Sequence, residues 1–281
     1  MTDPPQGAGA PGTADLFDLT GRRALVTGGA GFLGQRFAGA LADLGAHVHL
    51  LDDDAGRLDA ATAAIGRGAL AIPVDVTDAA AVDRAVAGIA AGGAIDVLVN
   101  SAAIDPKFPA GAGANRGHLV GYPVEQWRRS LDVNLTGTFL VTQAVVAVML
   151  GQGPRGRGAV VNVSSTYGLR GPDQRIYASD DAPDRFWKPV DYSTTKAGVL
   201  GFTRAVAAML RGTEIRVNAL TPGGAFHDQD EEFVAAYSAR TILGRMAGPD
   251  EYRGAIAFLC SDASSYMTGA NLVVDGGWTA S

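Results

Sequence analysis

The sequence predicts an α/β fold: a single Rossmann-like, doubly wound domain built on a mostly parallel seven-stranded sheet. Three observations carry that expectation. Short apolar runs of strand length alternate along the chain with longer segments of helical period. The short runs are apolar at successive positions, as strands covered on both faces must be. The 38 glycines follow no fixed period and gather where strands give way to helices. With 281 residues, 47% of them hydrophobic, the chain can bury roughly three quarters of its unfolded surface around one core.

In chain order, residues 1–18 read as a flexible tail, because Met1 to Thr13 is Pro-, Gly- and Ala-rich with little to bury. Residues 19–281 then read as a single domain. Strands are expected at Ala24–Val26, Val48–Leu51, Ala69–Val74, Val97–Val99, Ala159–Val163, Ile215–Leu220 and Leu272–Val274. Helical period marks Phe32–Leu44, Ala79–Ala91, Val124–Leu150, Ser193–Leu210 and Asp250–Leu259, among others. Twenty-three basic against 29 acidic residues give a net charge of -6, which disfavours nucleic acid or an anionic membrane as partner. Cys260 is the only cysteine, so neither an internal disulfide nor a thiolate metal cluster is expected. The first twenty residues lack the basic and apolar regions of a signal peptide, and the run Leu140–Leu150 is too short to span a bilayer. A cytoplasmic protein is expected.

The first strand leads into Thr27-Gly28-Gly29-Ala30-Gly31-Phe32-Leu33-Gly34 and then a helix. Glycines there permit a tight turn and close approach of a pyrophosphate to free helix N–H groups. Asp52, 18 positions after Gly34 and at the end of the second strand, stands where a carboxylate meets an adenosine ribose. Asp53 and Asp54 read as a solvated loop or a helix N-cap. Asp52 predicts NAD over NADP: a carboxylate about 4 Å from a 2'-phosphate repels it by ~4 kcal/mol per charge pair at a dielectric of ~20. No basic residue stands immediately after Asp52 to compensate.

With these elements and later motifs, the chain resembles the short-chain dehydrogenase/reductase family over Leu19 to Trp278. Asn100-Ser101-Ala102-Ala103 is similar to the family's Asn-Asn-Ala-Gly element beside the adenine ribose, which implies cofactor contacts at Asn100 and Ala102. Asp75-Val76 matches its adenine-contacting pair, and Pro222-Gly223 the turn at the nicotinamide carboxamide. Asn134 matches the helix asparagine of the family's proton relay, and Ser165 closes the fifth strand as its serine does. Tyr192-Ser193-Thr194-Thr195-Lys196 is its YxxxK signature, and Asp275-Gly276-Gly277 its usual ending. The resemblance implies a nicotinamide-dependent oxidoreductase assembled as a homotetramer or homodimer through its long helices.

Hydride transfer at a carbinol carbon requires a proton to move on the same oxygen. A phenol can move it near neutral pH only if a cation favours its phenolate, and Lys196 lies one helical turn from Tyr192. Ser165 would donate to the reacting oxygen, and Asn134 would anchor a water that leads protons from the lysine to solvent. Tyr177 competes with Tyr192, but Asp181 at i+4 would oppose its ionisation. Ser164 should face away from Ser165 and be structural. His47, His49, His118 and His227 lack metal-ligand spacing, so no metal is expected.

Two departures stand out. Phe32 replaces a usual glycine, and Gly28, Gly31 and Gly34 have the spacing of the branch that includes nucleotide-sugar epimerases. Residues 171–189 form an insertion before Tyr192 that combines Arg175, Arg185 and Lys188 with Tyr177, Phe186 and Trp187. The insertion reads as a substrate wall or a surface loop, with Arg175 and Tyr177 as candidate contacts to a sugar- or polyol-like substrate. Two rival functions remain: a nucleotide-sugar epimerase or dehydratase, and a dinucleotide sensor without catalysis.

Overall fold

The computed structural model describes residues 11–106, 117–177 and 186–280. Seven strands form one sheet in the order β3-β2-β1-β4-β5-β6-β7. They are β1 Arg23–Thr27, β2 His47–Asp52, β3 Leu70–Pro73, β4 Val97–Asn100, β5 Arg157–Val163, β6 Glu214–Pro222 and β7 Asn271–Val274. Every pairing is parallel. The helices are α1 Phe32–Asp43, α2 Ala55–Ile65, α3 Ala79–Ala90, α4 Val124–Leu131, α5 Thr138–Leu150, α6 Val190–Met209, α7 Glu231–Ser238 and α8 Arg253–Cys260.

Both faces of the sheet are covered, as the doubly apolar strands require. One face packs Phe37 and Leu41 of α1, Leu58 of α2, and Ile256 and Leu259 of α8 against Val26, Val48, Leu50 and Val161. The other packs Val82, Val86 and Ile89 of α3 with Val141, Val145 and Met149 of α5 against Leu25, Leu98 and Val160. The order in which strands are laid down reverses between β1 and β4, the switch point at which α/β sheets leave a crevice beyond their strand ends.

Several boundaries differ from expectation for local reasons. Helices α2 and α7 belong to none of the periodic segments singled out in the sequence. Each is short and starts at an aspartate cap: Arg57 N–H donates to Asp54 at 3.0 Å, and Phe233 N–H to Asp230 at 2.7 Å. Asp54 is therefore the N-cap that one reading of the triple aspartate foresaw. Helix α6 starts three residues earlier than expected, directly after Pro189. Within the expected tail, Asp15–Phe17 form one 3-10 turn ahead of the buried Leu19, whose N–H donates to Leu44 O at 2.9 Å. Residues 1–10 of that tail lie outside the described residues.

The stretch from Val124 to Leu150 is continuously helical and, by length and composition alone, could cross a membrane, whereas the sequence reading considered only Leu140–Leu150. Its buried Val141, Val145 and Met149 pack against the sheet, as those of a core helix do. A π-helical segment, Asp132–Gly137, interrupts it. Such bulges recur at functional sites, and this one carries Asn134.

Candidate active site

At the switch point lies a cleft of about 910 Å3, within the ~300–1,000 Å3 of small-molecule and cofactor sites. Its walls include Gly28, Gly31, Leu33, Gly34, Asp52, Asp75, Val76, Ala102, Tyr192 and Lys196. Ten sequence-predicted positions thus come together. Gly28 adopts φ +61°, and a Cβ on Gly34 would stand 2.0 Å from the Gly28 carbonyl oxygen. Gly31 caps α1 without a side-chain bond, so the first-turn N–H groups point into the cleft mouth. Thr27 Oγ1 accepts from the N–H groups of Ser101 and Ala102, both at 3.1 Å, and fixes the facing wall. These features fit a dinucleotide: a side-chain-free cradle for its pyrophosphate, with a carboxylate beyond.

That carboxylate, Asp52, accepts from Ala30 N–H at 3.0 Å, and burial pushes its pKa up. Arg57 lines the same part of the cleft and donates to Ala30 O at 2.9 Å. No base stands immediately after Asp52, as expected, and the fold adds Arg57 to the same cleft wall. Arg57 lies five residues on in sequence, but the first turn of α2 folds it back over the phosphate loop. Phe32, the off-pattern residue, opens α1 with its ring stacked on His227 at 4.2 Å and under the Arg36 guanidinium at 4.2 Å.

Three predicted cofactor residues lie off the cleft wall. Asn100 is buried beneath it, donating to Thr142 Oγ1 and Asn162 Oδ1, both at 2.8 Å. It is the last residue of β4, a strand buried at every position, so its amide finds partners inside the sheet and only the following residues reach the cleft. Pro222 and Gly223 end β6 at a smaller cavity of about 110 Å3, which Gly223 lines. There Gly223 N–H is held by Val274 O at 2.9 Å and its carbonyl by the Tyr252 hydroxyl at 2.9 Å.

The chemical group gathers at the inner end of the cleft. Tyr192, in the first turn of α6, lines it, and Lys196 one turn on has its ammonium 5.8 Å from the Tyr192 ring centre. Lys196 donates to Val163 O at 2.8 Å, and burial pushes its pKa down to about 8. It is still charged at neutral pH. Tyr192 departs from expectation: burial and then the Asp105 carboxylate push its phenol well above the usual value, while a hydrogen bond with Ser165 opposes them. The physical reason is burial: the phenol gives up the water that would solvate its charged form, and the Asp105 carboxylate adds to that cost. Ser165 also accepts from Tyr167 N–H at 3.2 Å, while Ser164 donates to Lys196 O at 2.8 Å in the structural role foreseen for it.

Asn134 turns its amide to the loop after β4. It accepts from Ile104 N–H at 2.8 Å and donates to Ile104 O at 3.0 Å and Thr195 Oγ1 at 3.1 Å. Its side chain therefore clamps the cleft wall to α6, and water anchoring falls outside what these bonds require. Asp191, which the sequence reading passed over, is fully buried beside Tyr192. It accepts from Ser130 Oγ at 2.6 Å, Tyr122 Oη at 2.7 Å and Tyr192 N–H at 2.7 Å, so it ties α4 to the start of α6.

The described ends of the insertion are anchored. Gln174 accepts from Lys188 N–H at 2.8 Å and donates to Lys188 O at 3.1 Å, closing the excursion at its base. Tyr177 and Arg175 stand away from the cleft. The Tyr177 hydroxyl pairs with that of Tyr167 at 2.7 Å, its ring packs on Phe186 and Phe233, and burial drives its pKa up. Arg175 binds Asp173 at 2.8 Å and lines a separate cavity of about 450 Å3 with Arg240 and Trp278. Neither residue is part of the cleft lining. Arg185, and Asp181 on which one argument against Tyr177 rested, lie outside the described residues.

A nucleotide cleft that ends in a buried tyrosine–lysine pair defines a nicotinamide-type oxidoreductase, and known proteins similar to this chain agree. The family model described as "Enoyl-(Acyl carrier protein) reductase" matches residues 29–279. A cis-4-hydroxycyclohexanecarboxylate dehydrogenase of Sinomonas cyclohexanicum is 39% identical over 92% of this chain and 97% of its own. A D-threitol dehydrogenase of Mycolicibacterium smegmatis is 36% identical over 94% and 95%. Among solved structures, a short-chain type dehydrogenase/reductase from Mycobacterium marinum superposes with a TM-score of 0.82 at 32% identity, covering 96% of this chain and 100% of that one. A gluconate 5-dehydrogenase from Burkholderia cenocepacia in complex with NADP and tartrate gives 0.80 at 31% identity, covering 95% and 98%.

The chain belongs to the short-chain dehydrogenase/reductase family. It is an NAD(P)-dependent oxidoreductase that interconverts a secondary alcohol and a ketone, and the epimerase spacing of its glycines does not place it in another class.

Proposed function

We propose that the enzyme is an NAD-dependent dehydrogenase of a polar, polyol- or sugar-like secondary alcohol, with residues 19–281 acting as one catalytic domain in the cytoplasm. The observation that carries this reading is the convergence of Tyr192, Lys196 and the Gly28–Gly34 loop on one cleft. Tyr192 is the acid/base, Ser165 holds its hydroxyl, Lys196 supplies the cation, and Asn134 fixes the wall opposite. Asn100 supports the cleft from beneath. The nicotinamide cofactor, when bound, supplies the hydride acceptor. The chain itself orients it through the glycine loop and Asp52, and manages the proton at the Tyr192 oxygen. The threitol and hydroxycyclohexanecarboxylate relatives support a polar alcohol as substrate.

Asp52 favours NAD, and Arg57 offsets part of its repulsion of a 2'-phosphate. Half of the ~4 kcal/mol repulsion is still more than a tenfold preference. A panel of polyols, sugars and hydroxy acids, followed at the absorbance of the reduced cofactor, tests the reading. The kcat/KM with NAD is expected to exceed that with NADP by at least about tenfold, and equal or better use of NADP overturns the preference.

The assembly follows from helix faces. Phe139 and Leu150 of α5 and Met209 of α6 are exposed, and Phe139 meets Phe202 across the two helices at 6.4 Å. A homotetramer, or at least a homodimer, would cover them. Light scattering at micromolar concentration is expected to give a multiple of 28.8 kDa, and a mass near 28.8 kDa rejects the assembly.

A further inference from the structure

The cleft holds a carboxylate that neither hydride transfer nor cofactor binding uses. Asp105 follows Ile104, whose N–H and C=O are both bound by Asn134, so the chain enters the cleft from a fixed point. Asp105 lines the cleft with Tyr192, and its side chain is 39% exposed. Its charge reaches the chemical group: it opposes ionisation of Tyr192 and partly offsets the burial that lowers the Lys196 pKa. The oxygen Oδ2 accepts a hydrogen bond from Lys188 Nζ.

Lys188 is held from the other side. Its side chain is 9% exposed, and its ammonium lies 4.5 Å from the centre of the Tyr192 ring, 5.7 Å from Tyr167 and 5.9 Å from Tyr177. Cation–π attraction to three rings keeps the ammonium in place. The backbone clamp from Gln174 fixes the residue that carries it. A bound substrate therefore meets Asp105 before it meets this lysine.

Any alcohol whose oxygen reaches Tyr192 carries its neighbouring carbons past Asp105. A carboxylate accepts hydrogen bonds and donates none. With one oxygen on Lys188, what remains to be satisfied is an acceptor. A hydroxyl on the carbon next to the reacting carbinol satisfies it. An apolar carbon would strip water from the carboxylate without replacement, and a substrate carboxylate at that place would be repelled.

We propose that Asp105 is a specificity-determining residue that accepts a hydrogen bond from a hydroxyl vicinal to the reacting carbinol, and that Lys188 is the positioning residue that aims it. The preferred substrate end is then a vicinal diol, oxidised to an α-hydroxyketone. This rests on Tyr192 being the acid/base.

The test compares cyclohexanol with cis- and trans-1,2-cyclohexanediol, using the full-length enzyme with NAD or NADP. The wild type is expected to prefer one of the diols by at least about tenfold in kcat/KM, the usual worth of a hydrogen bond to a charged group. Asp105→Ala and Lys188→Met should each reduce that ratio about tenfold or more, mainly through KM for the diol, and Lys188→Arg should restore most of it. A wild type that oxidises cyclohexanol as well as both diols overturns this inference and leaves the dehydrogenase reading intact. Equal losses on all three alcohols in the variants also overturn it, since that is the result of merely disturbing Tyr192. A wild type inactive on all three, yet active on another alcohol without a vicinal hydroxyl, overturns it as well. Inactivity on every alcohol overturns the dehydrogenase reading together with it.

Discussion

Tyr192→Phe is expected to lower kcat by at least about a hundredfold while cofactor affinity is largely kept. The substitution removes one oxygen. The ring that remains still packs beneath Lys188 and in the aromatic cluster with Tyr167 and Tyr177, so the first turn of α6 has no reason to move. What disappears is the group that carries the proton of the reacting oxygen. The matched control is Tyr177→Phe, which loses only a hydrogen bond to the Tyr167 hydroxyl. Tyr177 lies off the cleft wall, so its variant should be much milder in kcat. Steady-state rates and fluorescence titration of the cofactor separate the two effects. If Tyr177→Phe proved the more damaging, the acid/base assignment would be wrong.

The high phenol pKa sharpens that expectation. In the protein alone, burial and Asp105 both disfavour the phenolate. Tyr192 therefore waits protonated, in the form suited to donate a proton to a ketone. Oxidation of an alcohol needs the phenolate, and the Lys196 ammonium, 5.8 Å from the Tyr192 ring centre, is the charge assigned to favour it. Among the carboxylates that line the cleft, Asp105 is the one whose charge opposes the phenolate, whereas Asp52 accepts from the glycine loop.

Much of this was legible in the sequence because it is carried by local patterns. All seven strands answer to apolar runs, and seven cleft residues to a glycine loop, an aspartate at a strand end and a tyrosine–lysine spacing of one turn; Asp75, Val76 and Ala102 answer to the family resemblance. What escaped depends on long-range approach. Arg57 reaches the phosphate loop only because α2 folds back, and Asp191 becomes a buried tie only when α4 and the 117–123 segment close on α6. Arg175 and Tyr177 read as substrate contacts because the insertion adjoins Tyr192 in sequence. In space, Asp173 and Tyr167 claim them first. Lys188, named in the same insertion, is the residue that does reach the tyrosine. The signal that separates it is its place just before Pro189 and α6, where the backbone is already fixed.

Gly34→Ala is expected to weaken cofactor binding by about a hundredfold or more. The added methyl carbon would stand 2.0 Å from Gly28 O, 2.9 Å from Gly28 C and 3.1 Å from Gly29 Cα. All three are backbone atoms, so no side-chain rotation can relieve the overlap. Either α1 moves out or the loop moves in. The first is resisted by Phe37 and Leu41, which are fully buried against the sheet. The second is resisted by Gly28 itself, whose φ of +61° and close approach to Ala102 leave it no room to shift. Overpacking of this kind costs typically ~1–3 kcal/mol in stability, which a domain of this size survives. The cofactor cradle does not, because the loop backbone and the first-turn N–H groups that would bind the pyrophosphate are the atoms displaced. Gly39, in the same helix with nothing within 4 Å of its would-be Cβ, supplies the control. Gly39→Ala should bind cofactor normally and melt slightly higher, since alanine favours a helix by ~1 kcal/mol over glycine. Thermal melts with and without NAD report both changes: cofactor should raise Tm for the wild type and Gly39→Ala, and leave Gly34→Ala nearly unshifted. A normal ligand-induced shift in Gly34→Ala would show that the pyrophosphate does not lie on this turn.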